Sequence, residues 1–158
     1  MDNPKILLFD IETAPNLAYV WGKYDQNVIQ YDSEWYMLCY AAKWLGKRKI
    51  MTSKLNDFPS RFRKDKNDDL GVVKELWKLL EEADIVIAHN GKAFDVKKTN
   101  ARFLYHGLPP PSPFKQIDTL TESRKYFKFN SNKLDDISNL LGLGRKVSHE
   151  GFSLWLKC

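Results

Sequence analysis

Lys5-Ile-Leu-Leu-Phe-Asp-Ile-Glu-Thr13 carries four apolar residues in a row and then two acids spaced one residue apart. The run Ile6 to Phe9 predicts a strand buried on both faces. Side chains at i and i+2 of an extended strand share a face, so Asp10 and Glu12 leave the end of a core strand on one side. Like charges held that close each favour the neutral form unless a cation lies between them. No neighbouring residue supplies one, whereas a hard divalent ion such as magnesium takes carboxylate oxygens. The competing reading is that the pair simply marks a strand end and faces water.

The totals fit a single domain. The chain has 158 residues, 43% of them hydrophobic and 28% charged, enough to bury a core and too apolar for wholesale disorder. We therefore expect one domain over residues 1–158. No apolar run approaches the ~20 residues of a membrane span, and the N-terminus lacks a basic-then-apolar signal pattern. Two cysteines, Cys39 and Cys158, form no disulfide framework, so a reducing, cytoplasmic setting is expected. Net charge is +5, with basic clusters at Lys47-Arg48-Lys49 and Arg61-Phe-Arg-Lys64, a balance that favours a polyanionic partner. Trp21, Tyr24, Trp35, Tyr36 and Trp44 offer stacking surfaces for bases, although strand aromatics belong more often to the core.

Beyond Thr13, Leu17 to Trp21 reads as a short strand, Gly22 to Ser33 as a polar loop, and Trp35 to Leu45 as a strand paired with Lys49 to Leu55. Asn56 to Asp69 reads as a solvated connector. Asp68 or Asp69 suits the N-cap of a helix whose Val72, Val73, Leu76, Trp77, Leu79 and Leu80 form a core-facing stripe. Asp84 to Ala88 is the next buried strand. A helix to His106 follows, with Phe94, Phe103 and Leu104 expected inward and Lys97, Lys98 and Arg102 outward. A proline-rich bridge from Leu108 leads to a last strand, Gln116 to Leu120, where Asp118 or Thr119 can cap the following helix. Lys133 to Leu141 predicts another helix, closed by Gly142 and Gly144. This order specifies an α/β fold: a five-stranded mixed sheet with helices on both faces, its first strand central and the strand ending at Ala88 parallel beside it.

That topology brings Asp10 and Glu12 to the same sheet end as His89-Asn-Gly-Lys-Ala-Phe-Asp95, where α/β ligand sites lie. Asp95 supplies a third acid, giving an anionic pocket in a basic protein. Basic surroundings recruit phosphates, and metal held by an acidic centre neutralises the charge of phosphoryl transfer. Two ions ~3.5–4 Å apart would orient a water and stabilise the leaving oxygen, with Asp10 as the bridging ligand. His89 is expected to hydrogen-bond rather than to ligate metal. Asn90 either contacts sugar or phosphate, or is a turn residue tolerating the left-handed region before Gly91.

Phe9-Asp-Ile-Glu-Thr13 resembles the first motif of the DEDD (DnaQ-like) 3′–5′ exonucleases of the ribonuclease H-like superfamily. His89-Asn-Gly-Lys-Ala-Phe-Asp95 is similar to their second motif, and Ile117-Asp-Thr-Leu120 to a strand-end segment that many members carry after it. Phage-type exonucleases with one small domain are the nearest in order and spacing. The resemblance implies two-metal hydrolysis, with Mg2+ or Mn2+, releasing nucleotides from a 3′ end. It makes Asp10, Glu12 and Asp95 three of four catalytic and metal-binding acids, and Thr13 and Ala14 the backbone that meets the terminal nucleotide, with Asn90 beside it. The implied partner is single-stranded or 3′-ended nucleic acid, DNA ahead of RNA.

The pattern's third motif, a Tyr or His followed four or five residues later by an Asp, has no match. After Leu120 the only aspartates are Asp135 and Asp136, preceded at those distances by Asn130, Ser131 and Asn132, and no Asp follows His149-Glu150. One metal position therefore lacks a ligand, and the expectation is a C-terminally incomplete domain with weak metal binding and little activity. The alternative is a catalytically silent nucleic-acid-binding or regulatory module of the same fold. The apolar end around Phe152, Leu154, Trp155 and Leu156 offers a homo-oligomer contact.

Overall fold

A computed structural model describes residues 3–24, 27–148 and 150–157, with the side chains of 152, 156 and 157 left out. The apolar run and the two acids form one strand, β1 (Ile6–Thr13), at the centre of a five-stranded mixed sheet. On one side β1 pairs antiparallel with β4 (Met37–Trp44), and β4 with β5 (Met51–Lys54). On the other side lie β6 (Ile85–Ala88) and β7 (Lys115–Asp118), both parallel to β1 through Leu7 opposite Val86 and Ala88 opposite Asp118. The central position of β1 and its parallel partner are as the sequence predicts. β2 (Leu17–Tyr19) and β3 (Gln30–Ser33) form a separate two-stranded hairpin instead of a strand and a loop. Polar Gln30-Tyr-Asp-Ser33 lacks an alternating pattern because nearly all of this hairpin is exposed.

β1 is buried on one face only. Leu7, Phe9 and Ile11 are in the core, whereas Ile6 and Leu8 are half-buried on the face that carries Asp10 and Glu12. The reason is that the second face of the sheet forms the floor of an open groove rather than a packed layer. The connector before the second helix also has structure. Leu55–Asp57 is a 3-10 turn, and Pro59 occupies the first turn of α1 (Pro59–Lys64), where its missing N–H costs nothing. Phe58 and Phe62 anchor this segment on the core.

α2 (Leu70–Glu81) buries Val72, Val73, Leu76 and Leu80, with Trp77 and Leu79 half-buried at the margin, as the stripe predicts. Its packing contacts run to β4 and β5. The N-terminal carboxylates divide their roles. Asp68 accepts the Leu70 N–H at 3.1 Å, whereas Asp69 turns inward and accepts the Met37 N–H at 2.7 Å. In α3 (Asp95–Tyr105) the expected face is rotated. Arg102 is 8% exposed and Leu104 is 82% exposed, the reverse of the prediction. Arg102 donates to Asp69 at 2.6 Å, and His106 Nε2 lies 2.6 Å from the same oxygen. Burying a guanidinium is affordable only with such a partner.

Asp118 caps α4 (Thr119–Tyr126) by accepting the N–H groups of Leu120 and Thr121. α5 (Leu134–Leu140) follows, and residues Gly151–Lys157 form a 3-10 helix. Leu154 and Trp155 are half-buried, Trp155 against the core. The side chains of Phe152 and Leu156, and all of His149 and Cys158, lie outside the described residues. Cys39 is half-buried on β4. Among the described residues, no helix is long and apolar enough to cross a membrane.

Candidate active site

Asp10 and Glu12 flank Ile11, whose side chain points into the core, so strand alternation delivers both acids to the open face. Asp95, the first residue of α3, is only 2% exposed, and its carboxylate accepts the Ile11 N–H at 3.1 Å. This bond ties the start of α3 to β1 between the two acids. The irregularity in the β1–β4 register between Glu12 and Thr13 falls just beyond them, where the Ala14 N–H donates to the Tyr36 carbonyl.

The turn from β6 to α3 sets where Asp95 stands. Asn90 adopts φ +67°, so the turn reading of this residue holds in its backbone. The N–H groups of Asn90 and Lys92 donate to the two carboxylate oxygens of Asp118, at 2.9 and 3.0 Å. Gly91 leaves no room for a side chain: a Cβ there would stand 2.5 Å from the Ala88 Cβ. His89 hydrogen-bonds Thr119 Oγ1 and the Asn132 carbonyl at 2.9 and 3.0 Å, the role expected of it.

Asp10, Glu12 and Asp95 share a groove of about 990 Å³, whose walls include His89, Asn90, Lys133, Asp135, Arg145 and Lys146. Burial by these walls raises the Asp10 pKa, opposed by the charges of Lys146 and His89. Burial likewise pushes Asp95 up to about 6, with the neighbouring charges of Asp10 and Asp118 adding to it and the Ile11 N–H opposing it. Two carboxylates close enough to disturb each other are a donor set suited to a hard cation. In number they fall short of the expected convergence. Among the described residues no three Asp, Glu, His or Cys side chains gather tightly enough to hold an ion.

Thr13 and Ala14 lie apart from the groove, in a second cavity of about 330 Å³ that Glu12 also lines. The sequence reading missed Lys133, Arg145 and Lys146 in the groove and Lys98 in the second cavity, where Trp35 is one of the aromatics it named as stacking surfaces. Lys98 was within reach, since it stands three residues after Asp95 on one helix face. The fold-back that brings residues 143–146 over the groove has no local signal.

The family model RNase_H_2, described as RNase_H superfamily, matches residues 7–153, from β1 through the second 3-10 helix. The chain belongs to the RNase_H superfamily. Its α/β architecture with a five-stranded mixed sheet accords with that family. The structure is similar to that of the family B DNA polymerase from the hyperthermophilic archaeon Pyrobaculum calidifontis, with a TM-score of 0.67 and 14% identity over 98% of this chain. The match covers 21% of the polymerase chain, so this superfamily member spans about a fifth of that protein's length. At that identity the likeness is one of fold. No curated protein matches. Membership of the RNase_H superfamily suggests a nuclease acting on nucleic acid, a class that generally uses divalent metals.

Proposed function

We propose that this RNase_H superfamily member carries the site of a metal-dependent 3′–5′ exonuclease of the DEDD type, with Asp10, Glu12 and Asp95 as its catalytic acids and metal ligands. The observation that supports this reading best is the buried Asp95 carboxylate bonded to the N–H between the two β1 acids. It locks two sequence motifs 84 residues apart into one groove. Bound Mg2+ or Mn2+ would supply an activated water and charge stabilisation at the phosphorus.

The chain's own residues prepare the reaction around that chemistry. Asp10 and Glu12 present oxygens from a rigid central strand, which limits reorganisation when charge develops. Lys133, Arg145 and Lys146 along the groove attract the phosphate backbone. The backbone of Thr13 and Ala14 meets the 3′-terminal nucleotide in the second cavity, while Asn90 contacts the strand from the groove wall. Single-stranded DNA with a free 3′ end is the proposed substrate.

Turnover is low in this reading, because after Leu120 no Tyr or His stands four or five residues before an Asp to complete the third motif. Asp135 lines the groove outside that pattern, its carboxylate accepting the Lys146 N–H at 2.5 Å. The proximity of Lys146 to Asp10 favours a second reading, a binding module that has lost hydrolysis, since an ammonium there competes with a metal for the same carboxylate. A 5′-labelled single strand incubated with Mg2+ or Mn2+ separates the two. The exonuclease reading predicts a slow ladder of shortened products, abolished by chelator and by Asp10→Ala, with a circular strand left intact. Retention of the labelled strand without any shortening supports the binding module, and nicking of the circle contradicts both.

A further inference from the structure

The second cavity beside Glu12 is built largely from flat rings and one cation. Trp35, Phe94 and Trp155 line it together with Lys98, Glu12 and residues 13–16. Its volume of about 330 Å³ lies at the small end of the range for ligand pockets. The walls are held from behind. Asn16 Oδ1 accepts the Trp35 N–H at 2.9 Å, Trp155 packs on the core, and Phe94 directly precedes the buried Asp95.

Lys98 is the unusual member. It follows Phe94 by one turn of α3, and its Nζ lies 3.7 Å from the Trp35 ring centroid and 5.6 Å from that of Phe94. Its half-buried ammonium forms no hydrogen bond or ion pair with any described residue. Burial lowers its pKa, and no carboxylate contributes to the shift. Ring faces hold the charge in place without using up its N–H donors. A desolvated donor that lines a nucleotide-sized cavity and lacks an oxygen partner among the described residues matches the acceptor edge of a ligand.

We propose that Lys98 selects the 3′-terminal base, an inference that rests on the exonuclease reading above for the placement of a terminal nucleotide in this cavity. The rings stack with any base, because every base has a π-face. The ammonium discriminates. Guanine offers O6 and N7 as adjacent acceptors and thymine offers O4, whereas adenine and cytosine place an amino donor on the corresponding edge. Ends terminating in guanine or thymine are therefore favoured over ends terminating in adenine or cytosine.

Binding of the four deoxynucleoside 5′-monophosphates, measured by calorimetry, tests this without hydrolysis. The guanine and thymine nucleotides should bind about threefold to tenfold more tightly than the adenine and cytosine nucleotides. Lys98→Met, which keeps the packed stem, should level the four affinities. Lys98→Arg should keep the preference, as should Lys97→Met, a charge loss at the exposed neighbour. Equal affinities in the parent, no binding of any nucleotide, or an undiminished preference in Lys98→Met overturns the proposal. A preference of this kind without nucleotide release from labelled DNA would count against the exonuclease and leave base selection by Lys98 standing.

Discussion

Asp95 and Asp118 show how two carboxylates of one site are pushed in opposite directions. Asp95 is desolvated with Asp10 beside it, which holds it up at about 6. As a charge it weakens the metal-free fold, and as a ligand of the proposed metal site it would strengthen it once a cation arrives. Asp95→Asn can still accept the Ile11 N–H, so it should raise the thermal midpoint of the metal-free protein and remove any increment given by Mn2+. Scanning calorimetry with and without the ion checks both. Asp118 is also pushed up by burial, but the N–H groups of Lys92, Asn90, Thr121 and Leu120 outweigh this and lower it below the usual carboxylate value. A depressed folded value stabilises above about pH 4 and is lost as pH falls through it. Asp118→Asn would set an amide donor against a backbone donor. It should cost about 1–3 kcal/mol at pH 7, and the gap to the parent should narrow toward pH 3 in urea unfolding. The sequence pointed to Asp95 through its place after a buried strand and to Asp118 as a helix cap. It could not show the bond to Ile11, because nothing local in a chain relates positions 84 residues apart.

At the level of elements, periodicity revealed whatever was apolar. The α2 stripe was readable because burial of Val72, Leu76 and Leu80 follows the helical period. In β1 the unbroken apolar run hid the alternation, since Ile6 and Leu8 are as apolar as the buried Leu7 and Phe9 but line the open face. α3 was misread because its buried face includes Asp95, Thr99 and Arg102, polar residues that a hydrophobic pattern assigns to solvent. Arg102 is inward only because Asp69, 33 residues earlier, waits there. Asp69→Ala strips the partner from a buried guanidinium and from the Met37 N–H, so it should cost about 3–5 kcal/mol in equilibrium unfolding. The turn between β6 and α3 is equally constrained. Gly91→Ala forces a Cβ against Ala88 and must shift the start of α3. The fold should survive with reduced stability, while protection by Mn2+ is lost because Asp95 moves off β1, an outcome that thermal scans of the variant would register.

Seen as a whole, the molecule places acids at the C-terminal ends of parallel strands and bases along the groove above them. The central place of β1, the parallel β6 beside it and the pairing of β4 with β5 were legible because short apolar strands alternating with helices leave few topologies open, whereas the places of β4 next to β1 and of β7 at the edge come from the structure. The basic wall was not, since Lys133, Arg145 and Lys146 reach the groove from segments with no strong periodic pattern. In the proposed function those cations make single-strand binding salt-dependent. Removing both Arg145 and Lys146 should weaken single-strand binding and flatten its dependence on salt, without regard to sequence. Whether the groove is a metal centre rests on the three acids together. The most direct measurement is titration of the protein with Mn2+ followed by electron paramagnetic resonance, on the parent and on Asp10→Asn, Glu12→Gln and Asp95→Asn. The parent should capture the ion and each substitution should release it. Equal capture by the parent and all three variants, or no capture by the parent, would contradict the assignment of Asp10, Glu12 and Asp95 as one metal-binding nuclease site.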